Sequence, residues 1–118
     1  MKKIFLDTSF LLTSLKDRVD IFRELERICN FTYSINIVDK TIEELEGKKL
    51  GKLALAIVKD KITVIKTTED LNVDQLLLKE TDSIVATQDK KLKEKLKKAK
   101  IPVITIRKKK YLIIEGAE

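Results

Sequence analysis

Histidine is absent from this chain, and cysteine occurs once, at Cys29. Without histidine the usual Cys/His zinc sites are missing, and one cysteine cannot build an intrachain disulfide framework. Ser-His and Cys-His nucleophilic catalysis are excluded on the same ground. Any general base is therefore a carboxylate, a lysine or a water activated by a metal. Long apolar runs are missing too, since none approaches the roughly 20 residues of a membrane-spanning helix. Met1-Lys2-Lys3-Ile4 passes straight into a strand pattern with no signal-peptide core. A cytoplasmic protein without membrane contact is expected. Internal repeats, low-complexity tracts and linkers are also lacking.

What is present is a chain of 118 residues, enough for one domain with a full core, expected to span 1–118. Hydrophobic residues at 43% and charged residues at 37% indicate a folded globular protein. The net charge of +6 favours a polyanionic partner, and ribosome-rich cytoplasm makes RNA the natural one. Abundant Lys, Glu and Ile beside one Met resembles a thermophile's composition.

Lys3 to Leu6 reads as a short apolar strand that stops at three helix-capping residues, Asp7-Thr8-Ser9. Phe10 to Ser14 predicts a short helix. Val19, Phe22, Leu25 and Ile28 recur every three residues and predict a second helix from Asp17 to Cys29. Thr32 to Val38 is a second strand, and Thr41 to Leu45 turns helical until a break at Gly47. Leu50, Leu53, Ala54, Ile57 and Val58 mark a further helix. Lys61 to Lys66 is strand three, Asn72 to Glu80 a short helix with Val73, Leu76 and Leu77 inward, and Ser83 to Thr87 strand four. Lys90 to Lys100 is a very basic helix with apolar positions at Leu92, Leu96 and Ala99. Val103 to Ile106 is strand five behind Pro102, a place where proline is tolerated. After the basic turn Arg107 to Lys110, Tyr111 to Ile114 adds an edge strand. Alternating strands and helices imply an α/β fold with right-handed βαβ units and a mostly parallel sheet of about five strands.

In open parallel sheets, sites form beyond the carboxyl ends of the strands, where helix N-termini also point. Asp7 and Asp89 end strands there, and Asp74 and Glu44 fall in the first helices after strands three and two. Asp82 precedes strand four, about five residues of some 3.3 Å each from that edge, and is a poor ligand candidate. Each acid also has a structural use. Asp89 and Asp7 can cap the following helices, Asp74 can complement a helix dipole, and Glu44 can pair with Lys48. Convergence of four acids from four segments shifts the balance, because packed like charges destabilise the fold unless a cation neutralises them. Such a cluster suits Mg²⁺ or Mn²⁺, which take oxygen ligands and keep several waters. Asp7 and Asp89 are the first ligand candidates and Asp74 the next, while Glu44 binds metal or accepts a proton from the attacking water. Thr8, Ser9 and Thr87 are placed to orient ligands or water.

These segments resemble the PIN-domain nucleases over nearly the whole chain. The resemblance rests on Leu6-Asp7-Thr8-Ser9 with Phe10-Leu11-Leu12, on Glu43-Glu44-Leu45, on Val73-Asp74-Gln75-Leu76 and on Ile84-Val85-Ala86-Thr87-Gln88-Asp89. The last of these, with its lysine-rich helix and Ile101-Pro102-Val103-Ile104, is the most specific. The resemblance implies a three-layer α/β/α sandwich, metal-dependent endoribonuclease activity and frequent dimerisation. It places the family's acidic quartet on Asp7, Glu44, Asp74 and Asp89. Helical periodicity does not separate Glu43 from Glu44; the family's Glu-Leu pair selects Glu44. The closing stretch through Tyr111 is similar to archaeal PIN proteins related to a small-subunit ribosomal RNA processing nuclease, and the VapC toxin ribonucleases share the core. A ribosome-assembly factor or an antitoxin is the corresponding protein partner, and a catalytically silent RNA-binding module is the non-enzymatic alternative. Lys90, Lys91, Arg107, Lys108, Lys109 and Lys110 form either a track for RNA phosphates or an ordinary solvated basic face. Tyr33 and Tyr111 can stack on bases or pack within the fold.

Overall fold

The computed structural model describes residues 1–66 and 83–116. The predicted helix over 72–80, and with it Asp74, lies outside the described residues, as does Asp82.

Six strands form one sheet: β1 (Lys2–Leu6), β2 (Tyr33–Val38), β3 (Thr63–Ile65), β4 (Ser83–Ala86), β5 (Val103–Arg107) and β6 (Tyr111–Glu115). Their order is β3-β2-β1-β4-β5-β6, all neighbours parallel except β5 and β6. The sixth strand is the predicted edge element, paired antiparallel through Arg107 and Tyr111. The chain builds outward from β1 to β3 and then returns to place β4 on the other side of β1. The order therefore reverses between β1 and β4, the kind of position where open parallel sheets bind ligands.

Successive side chains of a strand point to opposite faces, and both faces are covered. Ile4, Leu6, Ile84, Ala86, Ile104 and Ile106 enter one buried cluster, whereas Phe5, Val85 and Val103 enter another. The helices α1 (Thr8–Lys16), α2 (Ile21–Ile28), α3 (Asp39–Glu46) and α4 (Gly51–Val58) supply the first cluster with Phe10, Leu11, Leu25, Leu45 and Val58. α5 (Lys90–Lys98) covers the second with Leu92 and Leu96. The three-layer α/β/α arrangement follows from this division.

Several boundaries differ from the sequence expectation, each for a local reason. α1 begins at Thr8 and runs to Lys16, longer than predicted, and α2 begins only at Ile21. Arg18 takes a left-handed conformation (φ 55°), and the Val19 N–H reaches back to the Ser14 carbonyl at 2.9 Å, closing α1 with a Schellman turn. Asp20 then caps α2 by accepting from the Arg23 N–H at 3.2 Å. α5 ends two residues early in the same way, with Lys100 at φ 61° and the Ile101 N–H on the Leu96 carbonyl, so Ala99 is exposed rather than inward. In α4 the buried stripe is Gly51, Ala54 and Val58, while the predicted Leu50, Leu53 and Ile57 face outward. Gly51 sets that rotation. A β-carbon there would stand 1.5 Å from the Leu45 carbonyl oxygen, so only glycine lets α4 start against the end of α3.

The outer edge of β6 is partly covered by α2. The Leu112 N–H donates to Glu24 Oε1 at 2.9 Å, and its carbonyl accepts from Arg27 Nη2 at 2.8 Å. A Glu-Arg pair thus stands in for a neighbouring strand at the one residue where it contacts the edge. The Arg27 guanidinium and the Leu112 N–H hold the Glu24 carboxyl below its ordinary pKa. On the same strand, Glu115 pairs with Lys97 at 3.0 Å and Arg107 at 2.8 Å, which also lowers its pKa.

Candidate active site

Asp7 leaves the end of β1, and its N–H donates to the Ala86 carbonyl at 2.9 Å, so it sits where β1 and β4 part. It occupies the N-cap position of α1, yet its side chain makes no capping bond. Its Oδ2 instead accepts from the Thr87 hydroxyl at 2.7 Å and the Ser9 hydroxyl at 2.9 Å. Ser9 and Thr87 oxygens are 3.2 Å apart, but each hydroxyl has one proton and both protons are committed to Asp7. Asp7 is only 4% exposed, and among the described residues no lysine or arginine forms an ion pair with it. A buried carboxylate with two neutral donors and no counter-ion is costly, because hydroxyls stabilise the charge without neutralising it.

The other acids are placed by their own elements. Glu44, in the second turn of α3, accepts from the Thr8 hydroxyl at 3.1 Å, so Thr8 ties it to the residue next to Asp7. Between the two glutamates that the periodicity left open, Glu44 is the one joined to this pole. Asp89 caps α5, its Oδ1 accepting from the Lys91 and Leu92 N–H groups at 2.9 and 3.2 Å. The capping use foreseen for Asp89 is therefore real, and it leaves the second carboxylate oxygen outside the cap. The Asp89 N–H donates to Thr87 Oγ1 at 3.1 Å, which links the Asp89 turn to the hydroxyl holding Asp7. Among the described residues no three His, Cys, Asp or Glu side chains gather closely enough to hold a metal by themselves. Asp89 is engaged with the start of α5 and Glu44 with Thr8, and Asp74 lies outside the described residues.

The donor set still fits a hard divalent cation. Every candidate is a carboxylate oxygen, and Mg²⁺ is commonly held by one or two carboxylates with waters and substrate phosphate completing the shell. Asp7 supplies a buried negative charge for which a cation is the natural complement.

Two residues at this pole are not among the sequence candidates. Asp39 follows β2 directly and opens α3 at the same sheet edge, half-buried. The rule that selected Asp7, an acid directly after an apolar strand, selects it as well. Gln88 lies between Thr87 and Asp89, and its N–H donates to Ser9 Oγ at 3.1 Å. Nothing in its residue type announces a role.

The predicted basic track is exposed throughout, at Lys90, Lys91 and Arg107 to Lys110. Arg107 is also engaged with Glu115, whereas the hairpin tip presents Lys108 and Lys109 in left-handed conformations, φ 52° and 57°. Tyr33 packs edge-to-face on Phe31 with ring centroids 6.3 Å apart, and burial raises its phenol pKa. An apolar cavity of about 290 Å³ between α1, α2 and α4, lined by Leu11, Leu15, Phe22 and Ile57, shares no residue with the acidic pole. No helix among the described residues is long and apolar enough to cross a membrane.

Comparison with known proteins agrees with this architecture. The chain is 37% identical to Ribonuclease VapC4 of Methanocaldococcus jannaschii, and the alignment covers 98% of each protein. Its fold superposes on the PIN domain endonuclease Utp24 with a TM-score of 0.86, at 24% identity, covering 98% of this chain and 92% of that one. Residues 4–109 match the family model described as a PIN like domain, and the chain belongs to the PIN-domain family.

Proposed function

We propose that the protein is a divalent-metal-dependent endoribonuclease acting on RNA phosphodiester bonds. The observation that carries this reading is Asp7: a buried carboxylate at the sheet's switch point, held by two hydroxyls and lacking a cationic partner among the described residues. Membership of the PIN family and the 37% identity to a protein named a ribonuclease support it.

In this reading Asp7, Asp74 and Asp89 hold Mg²⁺ or Mn²⁺. When bound, the ion acidifies a water and offsets charge in the in-line phosphoryl transition state. The protein's own work is positional. Ser9 and Thr87 fix the Asp7 carboxylate, and Thr87 Oγ1 also holds the Asp89 turn by accepting from the Asp89 N–H. Thr8 holds Glu44, whose carboxylate accepts the proton of the attacking water. Lys90, Lys91 and the lysines of the hairpin tip bind flanking phosphates, which sets affinity and salt dependence rather than base choice.

The decisive experiment incubates purified protein with structured and single-stranded RNA, with Mg²⁺ or Mn²⁺ and with chelator, beside Asp7→Asn and Asp89→Asn. Cleavage is expected with metal alone and falls about 100-fold or more in Asp7→Asn, since losing even an outer partner of a metal site costs roughly 10–100-fold. RNA that is bound but left intact by wild type under every condition refutes the nuclease reading in favour of a silent RNA-binding module. Ribosomal RNA processing is the role we favour. The similarity to a protein named VapC4 favours a toxin ribonuclease with an antitoxin partner as the second reading. Growth arrest on induced expression, absent in Asp7→Asn, selects the second.

A further inference from the structure

The parallel ladder between β4 and β5 stops in an unusual way. The Val85 N–H donates to the Pro102 carbonyl and the Thr87 N–H to the Ile104 carbonyl, both at 3.1 Å. The two-residue repeat of a parallel ladder calls next for the Asp89 N–H on the Ile106 carbonyl. That bond is not made. The main chain leaves the sheet at Thr87, and the Asp89 N–H turns to Thr87 Oγ1. The side chain of Gln88 takes the missing place: its Oε1 accepts from the Ile106 N–H at 2.7 Å, and its Nε2 donates to the Ile106 carbonyl at 3.3 Å. A carboxamide has the donor and acceptor of a peptide group, so glutamine supplies both halves of the rung with one side chain.

We infer that Gln88 is a positioning residue for the acidic site, clamping the Thr87–Asp89 turn to β5 so that Thr87 and Ser9 present their hydroxyls to Asp7. The clamp works from both ends. The Gln88 side chain is fixed on Ile106, while its own N–H donates to Ser9 Oγ, leaving the Ser9 proton for Asp7. Thr87 Oγ1 likewise accepts from Asp89 and donates to Asp7. Asp89 stands one residue from Gln88, so the same clamp sets where α5 and its capping carboxylate begin. A peptide rung in place of this side chain would carry the main chain onward along β5, away from Asp7. The catalytic consequence rests on the nuclease reading above; the mechanical one does not.

Gln88→Met keeps the length and removes both hydrogen-bonding groups. Amide hydrogen exchange on the metal-free protein provides the first readout. We expect exchange about tenfold faster or more at the Ile106, Gln88 and Asp89 amides together, with the Ala54 amide, bonded to the Leu50 carbonyl in α4, unchanged as a control for folding. Gln88→Glu keeps an acceptor for the Ile106 N–H and retains protection at Ile106. The second readout is Mg²⁺ affinity, expected to fall about 10-fold in Gln88→Met as for other partners that orient metal ligands. The third is RNA cleavage, with kcat reduced and KM unchanged. Faster exchange at Ile106 alone, with Gln88 and Asp89 as protected as in wild type, overturns the inference and leaves Gln88 an ordinary sheet contact. Coupled loss of protection at all three amides upholds it even where wild type cleaves no RNA, a result that instead defeats the nuclease reading.

Discussion

Thr87 is the residue on which two acidic segments depend, and its replacement by valine tests the site most directly. The side chain is fully buried, donates to Asp7 Oδ2 at 2.7 Å and accepts from the Asp89 N–H at 3.1 Å. Valine preserves the shape and deletes only the oxygen. A hydrogen bond to a charged group contributes about 1.5–3 kcal/mol, and a buried N–H left without a partner costs about 1–3 kcal/mol more. Part of this is recovered by relaxation of the half-buried turn, so a loss of about 3 kcal/mol is expected for Thr87→Val. Thr87→Ser keeps both bonds and sheds one buried methyl, which costs about 1 kcal/mol. The serine variant is therefore the more stable by about 2 kcal/mol, roughly a 30-fold ratio of unfolding constants. Urea unfolding followed by circular dichroism in chelator, with equal m values, reads that difference without metal. Valine matching or exceeding serine in stability would show that the hydroxyl does not carry the site, and the cradle drawn around Asp7 would fall. Under the nuclease reading, cleavage follows the same order, retained in serine and reduced in valine.

Three further outcomes test other parts of the structure. Gly51→Ala forces a β-carbon against the Leu45 carbonyl and should cost about 3 kcal/mol in chemical denaturation; a variant within 0.5 kcal/mol of wild type, the usual scatter of surface changes, would mean α4 does not rest on α3 as described. The lowered Glu24 pKa gives a stabilisation that is fully present above the ordinary glutamate value of about 4.3 and is lost as pH falls through the lower folded value. The melting-temperature gap between wild type and Glu24→Gln should accordingly be widest above pH 5 and close toward pH 3, and a gap that widens on acidification contradicts the sign. Lys108→Asn with Lys109→Gly places turn-forming residues at two left-handed positions and should raise stability by about 1 kcal/mol. The same pair should lower RNA affinity and reduce its log–log salt slope by about 1.4, given about 0.7 per single-strand phosphate contact; an unchanged slope removes the hairpin tip from the RNA track.

The parts of this fold that could be read from sequence are those written in apolar periodicity. Strands β1, β2, β4 and β5 lie within a residue of their predicted limits because runs such as Ile84-Val85-Ala86 are buried on both faces and leave few alternatives. Helix ends were harder. Left-handed turns are usually announced by glycine, but here Arg18 and Lys100 occupy them, so the ends of α1 and α5 carried no compositional signal. The outward face of α4 is not marked in the sequence because Leu53 and Ile57 are hydrophobic yet exposed, and the deciding residue, Gly51, acts through the space it leaves empty. At the site, residue type and strand-end position singled out Asp7, Thr8, Ser9, Thr87 and Asp89. The hydrogen bond from Thr87 to Asp7 spans 80 residues of sequence and could not be deduced from spacing.

The chemistry of the cradle also bears on why, among the described residues of a chain with 25 lysines and arginines, hydroxyls hold the Asp7 side chain. A lysine beside Asp7 would stabilise the buried charge more strongly, but it would also neutralise it and compete with any cation. Serine and threonine donors orient the carboxylate and preserve its charge, at a cost to metal-free stability. Ligand binding that occurs only in the folded state returns such a cost by mass action. A divalent ion should therefore raise the melting temperature of wild type and have little effect on Asp7→Asn, whose amide accepts the same two hydroxyl protons without a charge. Equal metal-induced shifts in the two proteins would place any bound ion elsewhere and detach the buried carboxylate from metal binding.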